Sequence, residues 1–164
     1  MGFLETGVVE KKDIRTPSEK RFQKGPVAIM ECVQKIPCNP CVESCPQNAI
    51  SIKGSINNIP EVDFDLCNGC GMCIANCPGL AIFLIDRTYD NDKAAVSVPY
   101  EFTPLPEKGE KVELLNRSGQ KCGEGEVVKI RNARIQDRTP IITLAVDTSL
   151  AMDVRFFRRI SNEQ

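Results

Sequence analysis

The chain has 164 residues, with nine cysteines, no histidine, and 21 basic against 22 acidic side chains for a formal charge of −1. The length suits one ordinary domain or two small ones. Without histidine the chain cannot hold a Rieske centre or a histidine-ligated haem, and it lacks the commonest general base.

The first 26 residues are polar and of mixed charge. The opening MGFLETGVVEKKD has no charged stretch leading into an apolar one, so no secretory leader is expected. No apolar run reaches the length of a membrane span. These features predict a cytoplasmic protein with no membrane partner. Gly2 to Thr6 fits the loose myristoylation pattern, but nothing else in the chain suggests an anchor. Thr16-Pro17-Ser18-Glu19 favours the first turn of a short helix. Residues 1–26 read as an N-terminal arm or, equally, as a partly ordered tail.

Residues 27–98 read as one domain. Val27-Ala28-Ile29-Met30 predicts a strand. Residues 39–45 predict a short helix, stopped by Pro46. Ala49 to Ile52 predicts a strand, and the turn-rich residues 53–58 a loop. Residues 61–64 lead into a second short helix over 71–76, ended by Pro78-Gly79, and Ala81 to Ile85 predicts the closing strand. The order is βαββαβ. It contains an internal repeat: Cys45-Pro46-Gln47-Asn48-Ala49-Ile50 against Cys77-Pro78-Gly79-Leu80-Ala81-Ile82.

Residues 99–164 differ. Pro99, Pro104 and Pro106 make a stiff connector. Short strand-like runs follow at 111–115, 126–131, 140–146 and 155–160, with turn signals between them. That spacing predicts a small all-β unit, barrel-like or a sandwich. Lys129, Arg131, Arg134, Arg138, Arg155, Arg158 and Arg159 give it a basic edge. The edge reads either as a docking surface anchored by Phe156 and Phe157 or as a solvated face over two core phenylalanines.

Eight of the nine cysteines lie between positions 32 and 77. Disulfides would need an oxidising compartment, so these thiols read as metal ligands. Cys67, Cys70, Cys73 and Cys77-Pro78 form an unbroken C-x2-C-x2-C-x3-C-P run, the bacterial spacing for a [4Fe–4S] cluster. Cys32, Cys38, Cys41 and Cys45-Pro46 form an imperfect copy. The alternative metal, zinc, prefers C-x2–4-C pairs split by a longer spacer. Gly69 and Gly71 let backbone approach the cluster, where N–H groups can bond to sulfur. Two four-iron clusters on eight thiolates would add about −4 to the charge, which argues against a nucleic-acid partner. Cys122 stands apart and reads as a structural thiol, with a reactive or partner-bound thiol as the alternative.

Residues 30–85 resemble the bacterial-type dicluster 2[4Fe–4S] ferredoxins. The resemblance implies a crossed arrangement: Cys32, Cys38, Cys41 and Cys77 on the first cluster, and Cys67, Cys70, Cys73 and Cys45 on the second. It also implies an α+β, ferredoxin-like βαββαβ domain, here with an N-terminal arm and a C-terminal all-β unit. The first motif departs from the family spacing, which would put a ligand where Lys35 stands. Either a longer loop over residues 33–37 lets Cys32 ligate, or that site holds a three-iron or open cluster and Cys32 is merely buried.

The whole chain is similar to the small 4Fe–4S subunits of FAD-dependent proline, hydroxyproline, amine or amino-acid dehydrogenases of anaerobic bacteria. The likeness rests on Glu31-Cys32 through Cys41, Pro99-Tyr100-Glu101-Phe102 and residues 127–132. It implies FAD or FMN on partner subunits, a hetero-oligomer, and no substrate-transforming site on this chain. The sequence has no dinucleotide fingerprint and no P-loop. The competing readings are a free-standing ferredoxin and, less favoured by the balanced charge of residues 101–164, a cluster-stapled nucleic-acid binder or sensor. Loss of metal is expected to unfold residues 27–98.

Overall fold

The structure, a computed structural model, describes residues 2–132 and 138–160. The expected basic residue Arg134 lies outside the described residues.

The arm forms helix α1 (Phe3–Thr6), a 3-10 turn at Lys11–Asp13 and helix α2 (Glu19–Phe22). Ser18 caps α2 as its sequence suggests, accepting a hydrogen bond from the Arg21 backbone N–H at 3.2 Å. Arg21 and Phe22 are buried, so this end of the arm is packed against the body of the protein.

Strand β1 (Val27–Met30), helix α3 (Pro40–Glu43), strands β2 (Ile50–Ser51) and β3 (Glu61–Val62), helix α4 (Met72–Asn76) and strand β4 (Ile82–Asp86) follow in the expected βαββαβ order. Then come β5 (Lys93–Pro99), β6 (Lys111–Leu115), β7 (Lys121–Arg131), β8 (Ile141–Asp147) and β9 (Phe156–Arg159). β2 and β3 pair by themselves. The other seven strands form one antiparallel sheet, ordered β1-β4-β5-β8-β7-β6-β9.

That sheet corrects the barrel expectation. Residues 99–164 do not close a barrel on themselves; their strands continue the sheet begun by β1 and β4. The cause is β5, a strand the sequence reading passed over. It pairs along its whole length, Lys93 to Pro99, with Asp147 to Ile141 of β8. The strongest apolar run of the C-terminal part thus finds its edge in the first part. β1 and β9 remain the two outer strands.

Side-chain alternation assigns the two faces of the sheet. Val27 and Ile29 of β1, Phe83 and Ile85 of β4, Val96 and Val98 of β5, and Ile142, Leu144 and Val146 of β8 enter one large core. Full burial of each such side chain stabilises by about 1.5–3 kcal/mol. On the opposite face, Ala28 and Ile82 join Ile74 of α4, Ile50, Val62 and Ile141 in a second, smaller core that contains Cys41 and Cys73. The cysteine-bearing segment therefore sits on one face of the sheet, and the sheet's main core lies on the other.

The basic edge does not form as one surface. Arg155 is buried against Glu31, Arg158 pairs with Glu113 and Arg159 with Glu110. Phe157 is a core residue, and Phe156 packs against the same core.

Candidate metal centre

The loops around α3 and α4 bring the eight clustered cysteines into two groups of four. One cavity is lined by Cys32, Cys38, Cys41 and Cys77, with Met30, Ile36 and Pro60 around them. The other is lined by Cys45, Cys67, Cys70 and Cys73, with Ala28, Ala49, Gly69 and Gly71. Each group takes three cysteines from one motif and the last from the other. The crossing has a local cause. Cys41 and Cys73 lie on the short helices, while Cys45 and Cys77 fall just past their ends, where Pro46 and Pro78 turn the chain away. Lys35 is exposed, and Cys32 is half-buried within its group.

None of the nine cysteines forms a disulfide. Burial pushes the Cys73 thiol up to about 12, with further upward pressure from Cys67, Cys70 and Cys45. Burial likewise pushes the Cys41 thiol up to about 11, and it raises Cys32. The cysteines acting on Cys32 and Cys41 come from the first group only, those acting on Cys73 from the second. Thiols held this way stay protonated at neutral pH until a metal takes the place of the proton.

The donor set fits iron–sulfur clusters. Thiolates are soft ligands, and among the described residues no carboxylate lines either cavity. Backbone N–H groups point at three of the sulfurs. Ala49 N–H donates to Cys45 Sγ at 3.3 Å, Ala28 N–H to Cys67 Sγ at 3.5 Å, and Ala81 N–H to Cys77 Sγ at 3.5 Å. Hydrogen bonds to sulfur are one means by which a protein sets a cluster's potential.

Four arginines, whose roles are invisible to motif reading, hold the ligand loops. Arg21 of the arm donates to the carbonyls of Cys67 at 2.6 Å, Pro26 at 2.9 Å, Gly25 at 3.1 Å and Phe64. Arg131, at the end of β7, donates to the Cys70 carbonyl at 2.6 Å. Glu31, next to Cys32, is gripped by Arg117 through two nitrogens and by Arg155 Nε at 2.6 Å, with all three side chains largely buried. Arg155 also stacks on Phe83, its centre 5.0 Å from the ring. Arg21 and Cys67, Arg131 and Cys70, and Glu31 with Arg117 and Arg155 lie 46 to 124 residues apart in sequence, and no local signal pairs them.

Gly69 and Gly71 both adopt left-handed backbone, at φ 74° and 75°. A Cβ on Gly69 would lie 2.6 Å from the Pro26 ring and 2.7 Å from its carbonyl oxygen. A Cβ on Gly71 would lie 2.8 Å from the Arg131 guanidinium. The close packing that requires glycine is thus against protein neighbours. Cys122 lines neither cavity; it is half-buried against the main core, with its Sγ 3.6 Å from the Leu114 carbonyl oxygen.

Comparison with known proteins places this geometry. Residues 31–81 match the 4Fe-4S dicluster domain. The chain is similar to the ferredoxin-type protein NapF of Haemophilus influenzae, 43% identical over 56 residues that cover 33% of this chain and 32% of that protein. It is similar to the uncharacterized ferredoxin MJ0155 of Methanocaldococcus jannaschii, 40% identical over 77 residues, 46% of each chain. It is also similar to pyruvate synthase subunit PorD of Methanothermobacter marburgensis, 40% identical over 47 residues, 29% of this chain and 51% of that one. The chain thus spans about a third to a half of the length of these relatives. No solved structure matches significantly.

Proposed function

We propose that this chain is an electron-transfer subunit of a multi-subunit, flavin-dependent oxidoreductase of the amine or amino-acid dehydrogenase type. In this reading Cys32, Cys38, Cys41 and Cys77 hold one [4Fe–4S] cluster, and Cys45, Cys67, Cys70 and Cys73 hold the other. The observation that carries it is the pair of cavities, each lined by four thiols and, among the described residues, by no carboxylate.

Bound clusters supply one-electron chemistry, and the protein supplies binding, orientation and tuning. Arg21 and Arg131 fix the carbonyls of two ligand residues, the Ala28, Ala49 and Ala81 N–H groups face ligand sulfurs, and apolar side chains limit water. The substrate is transformed elsewhere, on a flavin-bearing partner. A two-electron flavin reaction joined to one-electron carriers gives a physical reason for such a partnership. Residues 1–26 serve as the arm, 27–98 as the cluster-bearing domain and 99–164 as the docking part of a cytoplasmic assembly without nucleic acid. No helix among the described residues is long and apolar enough to cross a membrane.

A similar chain named as a pyruvate synthase subunit supports the subunit reading. The relatives named as ferredoxins favour the second reading, a free-standing ferredoxin with extensions. Anaerobic isolation of the native protein, followed by sizing and iron and flavin assays of the peak, separates the two. Co-elution of iron with larger flavin-bearing chains is expected. Elution near 18 kDa with iron and no flavin would establish the free carrier instead.

A further inference from the structure

A groove of about 560 Å³ lies on the sheet face that carries the cysteine segment. That is within the range of concave sites on proteins, roughly 300–1,000 Å³ for those that hold small molecules. Its floor consists of small side chains, Ala95 and Ser97 of β5 and Thr143 of β8, with the Ser97 and Thr143 hydroxyls 2.8 Å apart. Nearer the clustered cysteines, Ile74 of α4 packs with Ile82 and Ile141 on the same sheet face. The groove is the part of that face left open beyond α4.

Two features give the groove a direction. Gly69, Gly71 and Leu84 line both the groove and the cavity of Cys45, Cys67, Cys70 and Cys73. An occupant of the groove is therefore separated from that cavity by one layer of residues. The charge is also one-sided. Among the described residues, Lys108, Lys129 and Arg131 face the groove against one acid, Asp86, whose carboxylate accepts from the Thr88 backbone N–H and hydroxyl. The ammonium groups of Lys108 and Lys129 are exposed and make no ion pair or hydrogen bond among the described residues. A chain of net charge −1 thus presents a cationic groove next to one of its two four-cysteine cavities.

We propose that this groove is the docking site for an acidic segment of the redox partner, positioned beside the Cys45/Cys67/Cys70/Cys73 site. The assignment rests on the cluster reading above. Complementary charge steers such encounters and fixes their register. The open sheet face accepts a protruding side-chain row much as it accepts Ile74 of α4. Arg131 joins the two features, since it faces the groove and holds the Cys70 carbonyl. At such a contact a single electron crosses, with one centre oxidised and the other reduced, and no bond is made or broken.

The test uses anaerobically isolated holoprotein and a fluorescein-labelled ten-residue glutamate peptide as probe, read by anisotropy at low salt. The full-length protein is expected to bind it, with affinity falling as salt rises. The double variant Lys108→Glu/Lys129→Glu should weaken binding about tenfold or more. Lys20→Glu, an exposed change on α2 outside the groove, should leave it unchanged. Equal affinity in the wild type and the double variant would overturn the proposal, as would an equal loss in Lys20→Glu. Release of a stoichiometric anionic small molecule from denatured native protein would also overturn it, by giving the groove a different occupant. Iron content and the EPR spectrum of each variant are measured alongside. Absence of iron in the wild type would defeat the cluster reading itself, separately from the groove.

Discussion

The two halves of this molecule hold their shape by different means. The sheet from β1 to β9 is held by side chains: fully buried valines, isoleucines and leucines alternate along β1, β4, β5 and β8 into one core. Residues 31–81, in contrast, have two helices of four and five residues, two strands of two residues each, and a small core that includes thiols. Helices this short do not persist without tertiary support. The contrast teaches that the sheet is self-sufficient, while the cysteine segment depends on what its thiols bind and on the arginines that grip its loops.

Removing iron by chelation and reduction is expected to have the largest effect, and it tests the contrast directly. The sequence alone suggested unfolding of the whole of 27–98. The structure narrows this, because Val27, Ile29, Phe83, Ile85, Val96 and Val98 belong to the main core. Hydrogen exchange should show protection lost over 31–81 and kept in β4, β5 and β8. Uniform loss would erase the distinction; full protection everywhere would show that the thiols need no partner.

Glu31→Ala comes next, since Glu31 ties the two regions together. It leaves Arg117 and Arg155 buried without a counter-charge, a change that costs about 4 kcal/mol in denaturant unfolding. Burial already pulls Arg155 below its usual range, and Glu31 is the main opposing influence. A loss under about 1 kcal/mol would show that the pair carries little of the tie.

Leu144→Ala acts on the sheet alone. Leu144 is fully buried and stands opposite Val96 and Val127. It should lower stability by about 3 kcal/mol while iron per folded chain stays constant. Gly69→Ala acts on the other side: the left-handed backbone and the clash with Pro26 should cost about 2 kcal/mol and reduce iron retention. Gly71→Ala should do less, because its obstacle is the end of a long arginine side chain. Cys122→Ala should be mildest, about 1 kcal/mol, with the iron content intact.

The cysteine segment was the more legible half. The βαββαβ order was read from the apolar runs and the turn and proline signals between them, while the crossed foursomes came from the resemblance to dicluster ferredoxins, because the first motif departs from that family's spacing at Lys35. The sheet was less legible for equally physical reasons. β5 reads Lys-Ala-Ala-Val-Ser-Val-Pro, whose small side chains and final proline give a weak strand signal, yet it is the strand that joins the two halves. Arg155 looked like surface charge because its counter-ion, Glu31, lies 124 residues away. Separations of 46 and 61 residues likewise hid the grip of Arg21 on the Cys67 carbonyl and of Arg131 on the Cys70 carbonyl.

The measurement closest to the centre of this account is iron and acid-labile sulfide per chain on anaerobically purified protein, with EPR before and after reduction. Two foursomes of thiols predict about eight irons, no three-iron signal in the oxidised state, and two interacting clusters on reduction. About four irons, or a three-iron signal that survives anaerobic preparation, would show that the Cys32, Cys38, Cys41 and Cys77 cavity does not hold a complete cluster.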